Sequence, residues 1–172
     1  LLAVDLQAKF LESIWEQERV VRRARFLIEV ANLLEIPVIA TTQNASRLGD
    51  LHPLIAEKVS QIVPKMSFSC WKDPQFQGIF QDLNRPQVVI VGVETHICVG
   101  LTANDLLGQY YQVVVCPDAV SSSDQERHKL GMERLRDSCA MPIHTEAVAY
   151  EWMETADDPH FRSMLQMVKD WR

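Results

Sequence analysis

Apolar runs alternate with amphipathic stretches from one end of the chain to the other. Residues 1–6 read as a strand. Val20, Ala24, Leu27, Ala31 and Leu34 then recur at helical spacing, with Arg22, Arg23, Arg25 and Glu29 on the other faces. Residues 37–42 form a short β-rich run, 52–58 suggest a helix, and 61–65 a short strand. Pro64 in that strand suits an edge, where no ladder partner needs its missing N–H. Asp73-Pro74 has the acceptor and N1 proline of a helix start, and this helix is predicted to run to about Leu83. Residues 87–93 are the best strand in the chain, apolar on both faces as a central parallel strand must be. A buried-looking helix follows over 95–107, stopped by Gly108, and then a strand over 111–116. Ser123-Asp124-Gln125-Glu126 reads as a capping box opening a helix to about Asp137. A last short strand is predicted over 140–144, a surface loop over 154–158, and a C-terminal helix from Asp158-Pro159.

About six strand–helix alternations predict an α/β fold. The expected form is a doubly wound (Rossmann-like) parallel sheet of about six strands, with helices on both faces in three layers. At 172 residues, with no internal repeat, low-complexity tract or linker, the expectation is one domain over 1–172. The composition, 47% hydrophobic and 23% charged, is that of an ordinary globular protein. Its net charge of −6 gives no counterion-release energy with nucleic acid, so no nucleic-acid partner is expected. No run is long or apolar enough for a membrane span. Cys70, Cys98, Cys116 and Cys139 show no CxxC pair and no disulfide-framework spacing, which points to a reducing, cytoplasmic setting. The chain opens without methionine in a strand-like run, so a trimmed N-terminus is expected and an organelle-targeting peptide stays open. The six glycines never form GxGxxG or GxxxxGK[ST], and no cofactor is expected.

Chemistry gathers at strand ends. Asp5 follows the first strand, Lys65 ends the third, and Cys98 follows the apolar run 87–93 across a turn at Gly92. In a parallel sheet those ends lie along one edge, where open α/β folds keep their ligand sites. With strand order 3-2-1-4-5-6 the switch point falls between strands one and four, where Asp5 and Cys98 would meet. A helix N-terminus there favours thiolate. A lone buried cysteine is more often a small hydrophobe than a nucleophile, and Asp5 alone could merely cap a neighbour. His96 is two residues from Cys98 and so faces elsewhere on the turn, as a surface or rim residue.

Together these residues resemble the isochorismatase-like cysteine hydrolases. The resemblance is carried by D-x-Q-x-x-F (Asp5, Gln7, Phe10), by Lys65 with Ser67 and Phe68, and by G-V-x-T-x-x-C-V from Gly92 to Val99. Asp118, Ser121 and Ser122 fit a D-A-x-S-S segment, and Asp158-Pro159-His160-Phe161 is similar to the isochorismatase domain-containing branch. The resemblance spans essentially the whole chain and reverses the odds on Cys98. It implies a catalytic triad of Cys98, Asp5 and Lys65. It also implies an oxyanion hole from the backbone N–H groups of Glu94 and Cys98, and a cis Val93–Glu94 peptide bond. The Glu94 side chain is expected to point away from the oxyanion.

A free thiol titrates near 8.5 and a free Asp near 3.9, so proton transfer between them is uphill by about 6 kcal/mol. The site must shift both groups or couple the transfer to attack on substrate. Residues 41–46 lack the Asp/His cluster of nicotinamidase-like members, so no metal is expected. Cys98 argues against vinyl-ether cleavage, because members with that activity lack the cysteine.

The activity expected is hydrolysis of small amide or acyl C–N substrates through a Cys98 thioester. A catalytically silent scaffold is the alternative, and a nuclease a weaker one. Phe10, Gln43, Phe68, Trp71 and Ile97 are candidates to line the substrate pocket. Tyr110, Tyr111, Trp152 and Trp171 suit core or subunit contacts. The C-terminal segment 151–172 carries Met164, Leu165, Met167, Val168 and Trp171, apolar area that must dock on its own domain or a neighbour. A homo-oligomer is therefore expected.

Overall fold

The computed structural model describes residues 1–171, so the final Arg172 of the C-terminal segment lies outside them. The strands are β1 (Leu2–Val4), β2 (Ile39–Gln43), β3 (Gln61–Lys65), β4 (Gln87–Val93), β5 (Gln112–Ser121) and β6 (Met141–Pro142). Between and after them lie α1 (Ala8–Leu11), α2 (Gln17–Leu33), α3 (Ala45–Leu48), α4 (Pro53–Ala56), α5 (Pro74–Asp82), α6 (Gly100–Gly108), α7 (Gln125–Asp137), α8 (Thr145–Met153) and α9 (Phe161–Asp170). The six strands form one sheet in the order β3-β2-β1-β4-β5-β6, with every pairing parallel. The order reverses between β1 and β4, the switch point of a doubly wound sheet.

Alternate β4 residues face opposite sides. Val89, Val91 and Val93 join one core with α2, α8 and α9 residues such as Leu27, Val148 and Met164. Val88 and Ile90 join the other with Phe76, Ala103 and Leu135 from α5, α6 and α7. Helices thus cover both faces in three layers. Pro64 lies in edge strand β3, where its missing donor goes unneeded. Among the described residues no helix is long and apolar enough to cross a membrane.

Several elements differ from the sequence expectation, each for a local reason. Strand β5 continues past Pro117 to Ser121 after a register break opposite Ile90–Gly92. The helix after residue 123 is capped by Asp124, whose carboxylate accepts from the Arg127 N–H, rather than by Ser123. Helix α8 has no Ser, Asp or proline start signal; His144 caps it, and the Asp118 carboxylate accepts from Thr145 N–H at 3.0 Å. Of the two places expected for Tyr110, core or subunit contact, the core is excluded, because it is fully on the surface.

The C-terminal helix corrects the argument for a partner. On α9, Met164 and Val168 are buried in the first core, and Phe161, Met167 and Trp171 pack against it. Trp171 Nε1 donates to Glu29 Oε2 at 3.0 Å. The apolar face is spent within the chain, so this helix supplies no reason for a second copy.

Candidate active site

Asp5 sits one residue beyond β1 with φ of 52°, a left-handed conformation that a non-glycine residue holds only where its surroundings enforce it. Its N–H donates to the Thr41 carbonyl at 3.2 Å. The carboxylate is fully buried and doubly engaged: Thr41 Oγ1 donates to Oδ1 at 2.7 Å, and Lys65 Nζ donates to Oδ2 at 2.7 Å. Lys65 ends β3 and lies two strands away, so its side chain spans the end of β2 to reach Asp5. It also donates to Gln43 Oε1 at 2.7 Å and to the carbonyls of Ser67 and Phe68 at 3.2 and 3.3 Å. Burial is the largest single influence on the Lys65 ammonium and pulls it down, but the charge and hydrogen bond of Asp5 together with Cys70 and Cys98 outweigh it, and the net shift is upward. Lys65 is therefore held as an ammonium.

Cys98 enters from β4. Gly92 pairs with Val4 at a φ of 119°, and a Cβ there would overlap the Val4 carbonyl, so only glycine lets the two strands approach. The Val93–Glu94 peptide bond is cis. The turn Thr95–Val99 is π-helical and carries Cys98 to the head of α6. Gly131 of α7 lets that helix lie against the turn, since a Cβ would come within 3.0 Å of His96 N. The Cys98 thiol is pushed well above the ordinary range, first by burial, then by the Asp5 charge, with Lys65 offsetting part of both. A standing thiolate is thus disfavoured, contrary to what a helix N-terminus alone suggests.

A cavity of about 180 Å³ opens beside the thiol. Phe10, Gln43, Phe68 and Ile97 line it with Cys98, joined by Leu48 and Glu94, which sequence reasoning had not placed in the pocket. Leu48 gave no signal, because only the α3 turn turns it inward. Trp71 is not part of this wall. It is buried in the second core, with its ring centroid 5.8 Å from that of Tyr111 and 6.2 Å from that of Phe80. The Glu94 carboxylate accepts from Ser123 N–H at 2.7 Å. His96 Nδ1 lies 2.9 Å from Ser122 Oγ, which engages its ring away from Cys98.

Cys70 is fully buried, with Sγ 3.8 Å from Thr41 Oγ1 and a thiol pushed up to about 11 by burial. A larger cavity of about 360 Å³ lies at the opposite, amino end of the sheet, lined by residues such as Leu1, Pro37 and Pro86. It holds no cysteine, serine or histidine, so size alone misplaces the chemistry. Among the described residues no group of three or more His, Cys, Asp or Glu could hold a metal ion.

The isochorismatase domain model matches residues 1–147. The chain belongs to the isochorismatase family. It is 31% identical over 176 residues to the secreted isochorismatase effector Isc1 of Phytophthora sojae, covering 99% of this chain and 84% of that protein. It is 33% identical to isochorismatase domain-containing protein 2 of Bos taurus, with 99% and 82% covered. The solved structure of the MAR1 ribonuclease from Caenorhabditis elegans superposes with a TM-score of 0.92 at 29% identity, over 98% of this chain and 88% of that one. Family membership places the chain among the isochorismatase-like hydrolases, with Asp5, Lys65 and Cys98 gathered at the switch point of its sheet.

Proposed function

We propose that the chain is a cysteine hydrolase of small amide and related acyl C–N bonds, acting through a thioester on Cys98. One observation carries this reading. A thiol lines a cavity while standing against a buried carboxylate that is itself held by a lysine and a threonine. As the Cys98 sulfur attacks the carbonyl carbon, its proton passes to Asp5. The N–H groups of Glu94 and Cys98 receive the oxyanion. Asp5 then protonates the leaving nitrogen as the C–N bond breaks, afterwards takes a proton from the water that opens the thioester, and returns it to the Cys98 sulfur as the C–S bond breaks. Burial keeps the thiol protonated until attack, so proton transfer and attack proceed together. This answers the uphill transfer between free groups: no thiolate needs to be stored. Lys65 keeps Asp5 oriented and offsets negative charge.

The test is a panel of small amides, ureides and esters incubated with the protein, quenched in acid and weighed intact. An acyl adduct should appear on the Cys98 peptide and decay with the rate of product release. No adduct and no turnover across the panel would favour the silent-scaffold reading. The ribonuclease name of one structural relative makes RNA a necessary member of the panel. The net charge of −6 and the small cavity argue against it, and RNA cleavage lost in Asp5→Asn would replace the amidase reading.

The chain is further proposed to form a homo-oligomer. Support comes from edge strand β3 and the loop after it, which leave Ile62, Met66 and Phe68 between 41% and 70% exposed. Light scattering at micromolar concentration should give a multiple of the 19.7 kDa chain mass, and a monomeric mass refutes the proposal.

A further inference from the structure

The backbone N–H of Glu94 serves the oxyanion, and its side chain is left over. Glu94 is only 9% exposed, and it lines the Cys98 cavity. One carboxylate oxygen is taken. Oε2 accepts from Ser123 N–H at 2.7 Å and lies 3.9 Å from His96 Nδ1, which is itself 2.9 Å from Ser122 Oγ. The other oxygen, Oε1, has no partner among the described residues.

The remaining polar side chains of the wall are committed. Gln43 receives Lys65 Nζ on Oε1 and donates through Nε2 to the Met66 carbonyl at 2.9 Å, and the Cys98 thiol is engaged by Asp5. Asp5 and Lys65, 2.7 Å apart, are neutral as a pair. Two further cations stand next door. Lys9 and Arg47 line a cavity that shares Gln43, Leu48 and Phe68 with this one, but both are exposed, so water and salt screen them. The Cys98 cavity thus holds a buried carboxylate oxygen that lacks a donor, and an unmet buried acceptor is costly. An ammonium group placed there supplies a charge-assisted hydrogen bond.

Resting on the reading of Cys98 as the reacting thiol, we infer that Glu94 determines specificity: its free carboxylate oxygen receives an ammonium group that the substrate carries close to its reacting carbonyl. The substrate class is small amino-acyl compounds, such as the amides of short amino acids. A cavity of about 180 Å³, below the roughly 300–1,000 Å³ of sites for drug-sized ligands, suits the smallest of these.

Two thiol reagents of matched size test this without turnover. The 2-aminoethyl methanethiosulfonate is a cation, and its 2-hydroxyethyl counterpart is neutral. Each forms one S–S bond to the cysteine as its own S–S bond breaks, releasing methanesulfinate, with the thiol proton lost to solvent. Rates are read by mass spectrometry on the Cys98 peptide near neutral pH. Exposed Cys139 is the internal reference, and the urea-unfolded protein is a second. The preference for the cation should be tenfold or more greater at Cys98 than at Cys139, the scale of one opposite charge several ångströms away at reduced dielectric. Glu94→Gln keeps an acceptor for Ser123 N–H and should lower that preference several-fold. In wild type, propylammonium should slow labelling of Cys98 by the neutral reagent, and propanol at the same concentration should not.

The inference is overturned if Cys98 prefers the cation no more than Cys139 does, if neither reagent labels Cys98, or if Glu94→Gln keeps the preference. Equal protection by propanol and propylammonium overturns it without any variant. In turnover, kcat/KM should favour glycinamide over acetamide by tenfold or more in wild type and by several-fold less in Glu94→Gln. Acetamide turned over as well as glycinamide would remove the role of Glu94 and leave the hydrolase reading standing. Cation preference at Cys98 in a protein that no amide or ester acylates would sink the hydrolase reading and leave the role of Glu94 standing.

Discussion

Replacing Cys98 with alanine should lower turnover of every amide or ester substrate by on the order of 10³-fold or more, with little change in folding. The removed group is a single sulfur at the edge of a cavity, so the large effect belongs to chemistry and not to packing. Cys98→Ser should not restore activity. A hydroxyl gives up its proton less readily than a thiol, and this site already holds the thiol protonated through burial and the Asp5 charge. Asp5→Asn should fall as far as Cys98→Ala, because the carboxylate accepts the proton as the sulfur attacks. The double variant should be no worse than either single one, since residues acting in one step lose their effects together. Steady-state rates for wild type and the four variants, with urea unfolding curves alongside, check this. Additive losses, or a Cys98→Ala protein that keeps its rate, would remove the thioester step.

How much of this was legible beforehand follows from where each interaction lies along the chain. Strand β4 stood out because every residue from Val88 to Val93 is buried and its apolar run is unbroken. Pro64 marked an edge strand for a purely local reason, a donor it lacks. A parallel sheet by itself puts Asp5, Lys65 and Cys98 on one edge, and the order 3-2-1-4-5-6, entertained as a condition, is the one observed and sets β1 beside β4. What depended on distant partners was not legible. Trp71 lies on a loop near the same sheet edge and so looked like pocket wall, yet its place is set by Phe80 and Tyr111, which arrive from later elements. The apolar face of α9 looked free because its cover, the α2 surface with Glu29, lies some 140 residues earlier. Helix α8 was invisible because its stabilising acceptor, Asp118, lies on β5. The state of the Cys98 thiol was misjudged for the same reason. A helix start is local and favours thiolate, whereas burial and the Asp5 charge come from the assembled sheet and outweigh it.

Lys65→Met should cost about 3–5 kcal/mol of stability, the range for breaking a buried ion pair from one side. The side chains of Lys65 and Asp5 are both fully buried and 2.7 Å apart. Methionine fills much of the same volume, so the loss is electrostatic. It leaves the Asp5 carboxylate with the Thr41 hydroxyl and the Cys98 thiol as neutral donors and no cation, and removes the Lys65 donor from Gln43 Oε1 and the carbonyls of Ser67 and Phe68. Adding Asp5→Asn should recover part of the stability, because the uncompensated charge is then gone. The pH dependence separates this from a packing defect. The wild-type lysine is raised by its partner, so the pair's contribution is fully present below the ordinary lysine range of about 10.4 and fades only as pH rises through the higher folded value. The deficit of Lys65→Met should therefore be largest at neutral pH and shrink only in alkali, as the wild-type lysine loses its proton. Urea unfolding of wild type, both single variants and the double variant from neutral pH into alkali measures each term. A deficit that stays constant with pH, or a double variant no more stable than Lys65→Met, would show that the ion pair is not what holds this corner of the sheet together.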